Sequence, residues 1–132
     1  MTDRTKRLAA FDNQQYLNLE TFRKNGIGIR TPVWFAADPG ATITNLYVYT
    51  TADAGKTKRI RANGAVRIAP CNSRGTLTGA WIDANATIVS GDAFNHGMQL
   101  LNRKYWLMKR ILDVSARLFR RRERVVFSIR PI

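Results

Sequence analysis

Thr50 and Thr51 stand a few residues ahead of Lys56, Lys58, Arg59 and Arg61, so two hydroxyls precede four cations in six residues, all within LYVYTTADAGKTKRIR (Leu46 to Arg61). Hydroxyl, ammonium and guanidinium groups are all hydrogen-bond donors. A helix starting near Lys56 would add N–H groups carrying partial positive charge. Strand, polar turn and helix start would gather these donors at one point, which suits a phosphate. Each charge-assisted bond to a phosphate adds about 1.5–3 kcal/mol net, so two or three would anchor a phosphorylated cofactor once its ring is buried. The same residues also fit a solvated basic helix that grips nothing specific, and the spacing leaves both readings open. Gly55-Lys56-Thr57 invites comparison with a triphosphate-binding loop, but that motif needs a glycine where this chain has Thr50. That reading is rejected.

Other chemistry-bearing residues have plainer readings. His96 is the only histidine and reads as surface or helix packing; Cys71 has no base near it in sequence and reads as an inert, partly buried thiol. Met98 and Met108 fall at helical spacing and read as core, while Trp34, Trp81 and Trp106 fit a core or a subunit interface. The second basic cluster, Arg117, Arg120, Arg121, Arg122 and Arg124, suits a helix C-terminus. Nucleic-acid binding would call for aromatic residues interleaved with these cations, and Phe119 alone is there, so that partner is disfavoured.

The elements that must position these groups follow from periodicity. Residues 3–15 suggest a short N-terminal helix. Leu17 to Phe22 and Ile27 to Ala36 alternate as strands around Asn25-Gly26, a strong hairpin signal, with Pro32 marking an edge or a bulge. Asp38-Pro39-Gly40 is a turn and Leu46–Thr50 the next strand; Lys56–Ala62 is a short helix stopped at Asn63-Gly64. Ala65–Pro70 and Ala80–Val89 are strands flanking the polar loop Cys71–Gly79. Phe94, Met98, Leu101, Tyr105, Met108 and Leu112 repeat along a long helix after Gly91-Asp92, a further helical turn or two takes in Leu118 and Phe119, and Arg124–Arg130 closes the chain as a strand. Sequential antiparallel strands with few crossover spacings predict a mainly β protein with flanking helices, an antiparallel barrel and not a doubly wound sheet.

Length and charge bound the rest. The 132 residues suit one domain spanning 1–132, and 45% hydrophobic residues place it among globular chains. The 22 Lys and Arg against 9 Asp and Glu give +13, an excess that calls for an anionic partner. One cysteine excludes an intrachain disulfide and makes a reducing, cytoplasmic setting the default; no signal-like start or membrane-length apolar run is present, so no membrane partner is expected.

TPVWFA (Thr31–Ala36), LYVYTT (Leu46–Thr51), GKTKRIRANGAVRIAPCNSRG (Gly55–Gly75) and the closing RRRERVVFSIRP resemble the pyridoxamine 5'-phosphate oxidase-like split-barrel superfamily, in particular its deazaflavin-using branch. The resemblance runs from about Tyr16 to Pro131. It implies an antiparallel split β-barrel of the FMN-binding type, a homodimer, and a cofactor in the dimer groove. It implies that Thr31, Pro32, Val33 and Trp34 lie along an isoalloxazine-type ring, and that Thr50, Thr51, Lys56 and Lys58 hold its phosphate. Cys71, Asn72, Arg74 and Trp81 would approach the ring or substrate. Arg59, with Arg61 and Arg67, would track the acidic tail of the deazaflavin coenzyme F-420; FMN is the alternative cofactor. The implied activity is hydride transfer to an unidentified small-molecule substrate by an oxidoreductase. The cofactor would carry that chemistry, for no protein acid or base is evident. A flavin- or deazaflavin-binding carrier or sensor without turnover, and a basic nucleic-acid-binding module, are the competing readings.

Overall fold

The structure, a computed structural model, describes residues 8–38, 45–111 and 123–132, with the side chains of 107–111 excepted. The expectations for Pro39-Gly40, for the Met108 side chain, for Leu112, and for Arg117 to Arg122 with Leu118 and Phe119 lie outside the described residues. Seven strands form one antiparallel sheet: β1 (Tyr16–Phe22), β2 (Gly28–Trp34), β3 (Ala36–Ala37), β4 (Leu46–Thr51), β5 (Ala65–Cys71), β6 (Ile82–Val89) and β7 (Arg124–Pro131). Among the described residues two α-helices interrupt them, α1 (Gly55–Ala62) and α2 (Gly91–Ile111). Of the predicted N-terminal helix the described residues show Leu8, in helical conformation, followed by a 3-10 turn, Ala9–Phe11, with Leu8 and Phe11 buried in the core.

The order across the sheet is β2-β1-β5-β6-β7-β4-β3. The two edge strands are consecutive in the chain, with Phe35 alone between them. The sheet therefore curls until one run of chain, 28–37, lies at both edges. The single strand predicted over Ile27 to Ala36 is thus two: β2 pairs with β1 through seven residues, while Ala36 and Ala37 pair with Tyr47 and Leu46 of β4. Continued back along β2, that second register would set Val33 opposite Thr50 and Pro32 opposite Thr51, yet the ladder stops after two pairs. The barrel is split there.

Alternation sorts the two sheet faces. Leu17, Leu19, Val33, Phe35, Leu46, Val48, Val66, Ile68, Ala84, Ala86, Phe127 and Ile129 fill the interior, and Ile60 of α1 joins them, so α1 plugs one end. Outside, α2 lays Met98, Leu101 and Tyr105 on Ala36, Tyr47 and Val126. In the first hairpin, Gly26 alone takes positive φ (+86°), while the Asn25 side chain accepts from the Ile27 N–H (3.1 Å). Gly64 ends α1 differently from the usual left-handed cap. Its φ is not positive, and a Cβ there would stand 2.7 Å from Asn85 Oδ1 and 2.8 Å from the Ala86 carbonyl, so its role is close approach to β6. Ala80 and Trp81 fall before β6, which begins at Ile82.

Candidate functional site

The split is flanked by the two segments singled out from the sequence. Thr31 and Val33 alternate toward the barrel interior and Pro32 and Trp34 away from it, Val33 packing against the core. A proline in a ladder is tolerated where its nitrogen faces away from the paired neighbour; Pro32 stands opposite Asn18 of β1, so its nitrogen side is the open edge. Across the split, Thr50 and Thr51 end β4 and are buried.

The turn that follows is locked by its own threonines. The Thr51 carbonyl accepts from Thr57 Oγ1 (2.8 Å) and from the Ala54 N–H (3.2 Å), which seats the first turn of α1 directly against the end of β4. Thr57 is fully buried and Lys56 half-buried, whereas Lys58 is exposed. Burial first, and the Arg59 guanidinium second, hold the Lys56 ammonium below the usual lysine range. Arg59 folds back over Gly55 and donates from Nε to Thr21 Oγ1 at the end of β1 (2.6 Å); burial and then Arg23 lower its pKa as well. A partly desolvated ammonium beside a second cation is a place where an anion relieves both penalties. Thr21 stands opposite Ile29, so the α1 end is the start of β2, and Trp34 lies five residues further on, about 16 Å at strand rise.

The structure thus seats α1, with Lys56 and Arg59, at the end of the split where β2 starts, while the β3–β4 register sets Thr50 and Thr51 alongside Val33 and Pro32, Thr50 on the interior face with Val48 and Thr51 on the outer face with Tyr47. Trp34 is not free: its indole is stacked on Tyr105 of α2, centroids 4.6 Å apart and planes within 5°. Of the residues implied by resemblance near the ring, Asn72 builds its own loop, its Oδ1 accepting from the Arg74 and Thr76 N–H groups. Cys71 is buried, which pushes its thiol up, and Arg74 is exposed. Trp81 lies under the guanidinium groups of Arg30 and Arg67, 4.7 and 5.1 Å from its ring centre. Arg67 is tied to Glu20, as is Arg30 (3.3 and 2.7 Å).

Several groups next to these segments had no readable signal. Tyr105 reads as one more residue of an apolar stripe, yet its hydroxyl accepts from the Phe35 N–H (3.2 Å) and has the Phe35 and Gln15 carbonyl oxygens within donating distance (2.8 and 2.5 Å). Lys104 donates to the Phe35 and Gln14 carbonyls (2.8 and 2.7 Å), its ammonium 3.7 Å from the centre of the Phe35 ring. Burial of that ammonium lowers it to about 8, although the stem is exposed. His96 bonds Asp38 through Nε2 (2.5 Å), and Asp38 also accepts from Tyr47 Oη (3.3 Å). Among the described residues, Asn18 Oδ1 is the one buried side-chain polar atom without a partner, its Nδ2 donating to the Gly75 carbonyl (3.2 Å). No group of three or more His, Cys, Asp or Glu side chains suited to a metal occurs among the described residues.

No family model and no curated protein matches the chain. Solved structures do. A putative pyridoxamine 5'-phosphate oxidase from Listeria innocua aligns over 96% of this chain and 90% of its own, with 19% identity and a TM-score of 0.60. An F420 reductase aligns over 95% and 92%, at 18% identity and 0.58. HutZ, the heme storage protein from Vibrio cholerae, aligns over 100% and 92%, at 16% identity and 0.65. The class is therefore defined by its architecture: the chain has the split β-barrel fold of pyridoxamine 5'-phosphate oxidase-like proteins, as the sequence resemblance implied. At these identities the likeness establishes fold, and function is argued separately.

Proposed function

We propose that this chain binds a phosphorylated flavin-type cofactor in the barrel split and acts as an oxidoreductase that passes hydride between that ring and a small-molecule substrate. The observation that carries the reading is the arrested ladder: Thr31–Trp34 and Thr50–Thr51 share a register that would pair them, and the sheet leaves them apart with Lys56 at one end. The residue types present suit the group. Thr50, Thr51, Lys56 and Lys58 offer hydroxyl and ammonium donors for a phosphate, and the lowered Lys56 would regain its charge against an anion. The strand Thr31, Pro32, Val33, Trp34 runs from that end and offers a flat edge with one donor removed at Pro32.

When bound, such a ring supplies the hydride chemistry; the chain orients it and screens it from water. The deazaflavin coenzyme F-420 is preferred to FMN, because Arg59 and Arg61 on α1 and the +13 charge suit an acidic tail beyond the phosphate. An F420 reductase shares the fold, which supports that choice. We further propose a homodimer acting in the cytoplasm, since a split open on one side needs a second wall, and a single domain over 1–132. The carrier reading is favoured by one observation, that a heme storage protein has this same fold.

The test is a titration of the protein with deazaflavin coenzyme and with FMN, followed by absorption and fluorescence. Binding lost by about 10- to 100-fold in Lys56→Ala/Lys58→Ala, with the fold retained, supports the phosphate site. Unchanged affinity in that double variant removes it. Bleaching of the reduced ring on addition of an acceptor separates the enzyme from the carrier.

A further inference from the structure

Arg30 and Arg67 stand against the Glu20 carboxylate, and Arg67 also faces Asp83. Arg59 is held by a neutral group instead. Its Nε donates to Thr21 Oγ1 (2.6 Å), on a residue only 1% exposed. Its Nη1 lies over Gly55, where a Cβ would come within 2.8 Å of it, so the absent side chain leaves room for the guanidinium. No acidic residue stands in the first turn of α1 beneath it.

Two elements gather three cations here. Lys56 comes from the first turn of α1 and Arg59 from its second, while Arg23 follows β1 two residues after Thr21. The turn fixes Arg23 on both sides: its N–H donates to the Ile27 carbonyl and its carbonyl accepts from the Gly26 N–H, both at 2.9 Å. After burial, the Arg23 guanidinium is what lowers Arg59, and after burial Arg59 is what lowers Lys56. None of the three joins an ion pair among the described residues. Cations held together without an acid repel one another, and an anion among them removes that penalty. With Nε taken by Thr21, the Nη groups of Arg59 are the donors left for a phosphate or carboxylate, with Arg23 beside them.

We propose that Arg59 and Arg23 form a second anion subsite beside Lys56, with Thr21 as its positioning residue, so that the ligand carries a further anionic group beyond its first phosphate. This rests on the cofactor reading above and deepens it, because it separates flavin-type ligands with one anionic group from those with two. It also brings in Thr21 and Arg23, which lie more than 30 residues before Arg59 and outside the continuous basic cluster. Arginines that merely tied α1 to β1 would change stability and leave ligand selection alone.

The experiment titrates four ligands: riboflavin, which carries the ring without a phosphate; FMN, with one phosphate; FAD, with a second phosphate; and the deazaflavin coenzyme, with its acidic tail. Arg23→Gln removes one cation from an exposed turn. Thr21→Val keeps the shape and drops the acceptor, and Gly55→Ala keeps every charge but displaces the Arg59 guanidinium. We expect the affinity for FAD or for the deazaflavin coenzyme to fall about tenfold in Arg23→Gln and about threefold in the other two variants, with FMN and riboflavin changed less than about twofold. Thr21→Ser should restore the unaltered value. A fall for FAD alone assigns the subsite to a phosphate, and a fall for the deazaflavin coenzyme alone assigns it to a carboxylate. Equal falls for FMN overturn the proposal, since both guanidinium groups would then serve the first phosphate; no change for any ligand overturns it too. Should Thr21→Val fail to fold, Gly55→Ala decides on the same criterion. Should the unaltered protein bind none of the four, the cofactor reading fails, and inorganic pyrophosphate judges the subsite by itself. Pyrophosphate bound more tightly than phosphate, and weakened in Arg23→Gln, means that the subsite stands; no such preference overturns it.

Discussion

The two outer faces of the barrel are built on opposite principles. Over β3, β4 and β7 the face is apolar and helix-covered, with Ala36, Tyr47 and Val126 under Met98, Leu101 and Tyr105. Over β2, β1, β5 and β6 it carries a row of alternating charge, Arg30, Glu20, Arg67 and Asp83, each directly across from the next. Among the described residues no α-helix packs on that face; Trp81 lies against both arginines. Glu20 is nonetheless only 5% exposed, and Asn18, one row along, only 6%. The apolar face gains its stability from area, which is tolerant of detail. The charged face depends on pairing, which is not: a buried carboxylate costs several kcal/mol unless its partners stay in place.

Breaking the charged row should therefore have the largest effect. Glu20→Ala removes the carboxylate shared by Arg30 and Arg67 and leaves two guanidinium groups facing one another across β1. Both arginines are partly exposed, so we expect about 2–3 kcal/mol, at or below the low end for a broken buried pair, read as a shift in denaturant midpoint. On the apolar face the sharpest point is Gly97. A Cβ there would stand 2.9 Å from Val126 Cγ1 and 3.0 Å from Tyr47 Cδ1, so Gly97→Ala forces α2 outward. Better helix propensity offsets about 1 kcal/mol of an overpacking cost of about 1–3 kcal/mol, leaving a net loss near 1 kcal/mol in the same measurement. A larger loss at Gly97 than at Glu20 would reverse the ranking of the two faces.

How much of this was readable in the sequence depends on whether one segment or two had to be known. The alternation of Leu17 to Phe22, Ala65 to Pro70 and Arg124 to Arg130 specifies strands locally, and those strands are present. The helix after Gly91 is specified in the same way by its apolar repeat. The break at Phe35 was not legible, because Ile27 to Ala36 alternates without interruption and the change of partner is a property of β1 and β4. Likewise Glu20 reads as one acid on a strand until Arg30 and Arg67 are brought to it from 10 and 47 residues away. Of the candidate site, the cluster Thr50 to Arg61 was visible because it is continuous. The bonds from Lys104 and Tyr105 to Phe35 were not, since those residues lie about 70 positions further along.

Lys104 gives the helix-covered face one electrostatic signature. Burial sets its folded value at about 8, below the ordinary lysine value of about 10.4 expected of the unfolded chain. Between those values the unfolded chain binds more protons than the folded one, so stability rises as pH increases through that window. The stem is exposed, so solvent screening keeps the rise small. Chemical denaturation from pH 7 to 10.5 should show the stability of the unaltered protein gaining on that of Lys104→Met. A difference that is flat or falls with pH would mean that the two carbonyls hold the ammonium as strongly as water does.

The smallest effect on stability is expected at Asn18, and it bears most directly on what the charged face is for. Asn18→Leu gives up the bond from Nδ2 to the Gly75 carbonyl, about 1 kcal/mol, and also removes a buried acceptor that has no partner, a gain of similar size. The denaturant midpoint should move by less than about 1 kcal/mol in either direction. A face complete within one chain would show nothing more. A face that receives an N–H donor from a second copy or from a bound ring would lose that contact, and self-association or riboflavin affinity would drop in Asn18→Leu while stability held. Pro32 lies directly across from Asn18 on the strand that borders the split, so a fall in riboflavin affinity would join the charged face to the site. A fall in association without it would make this face the second wall of the groove.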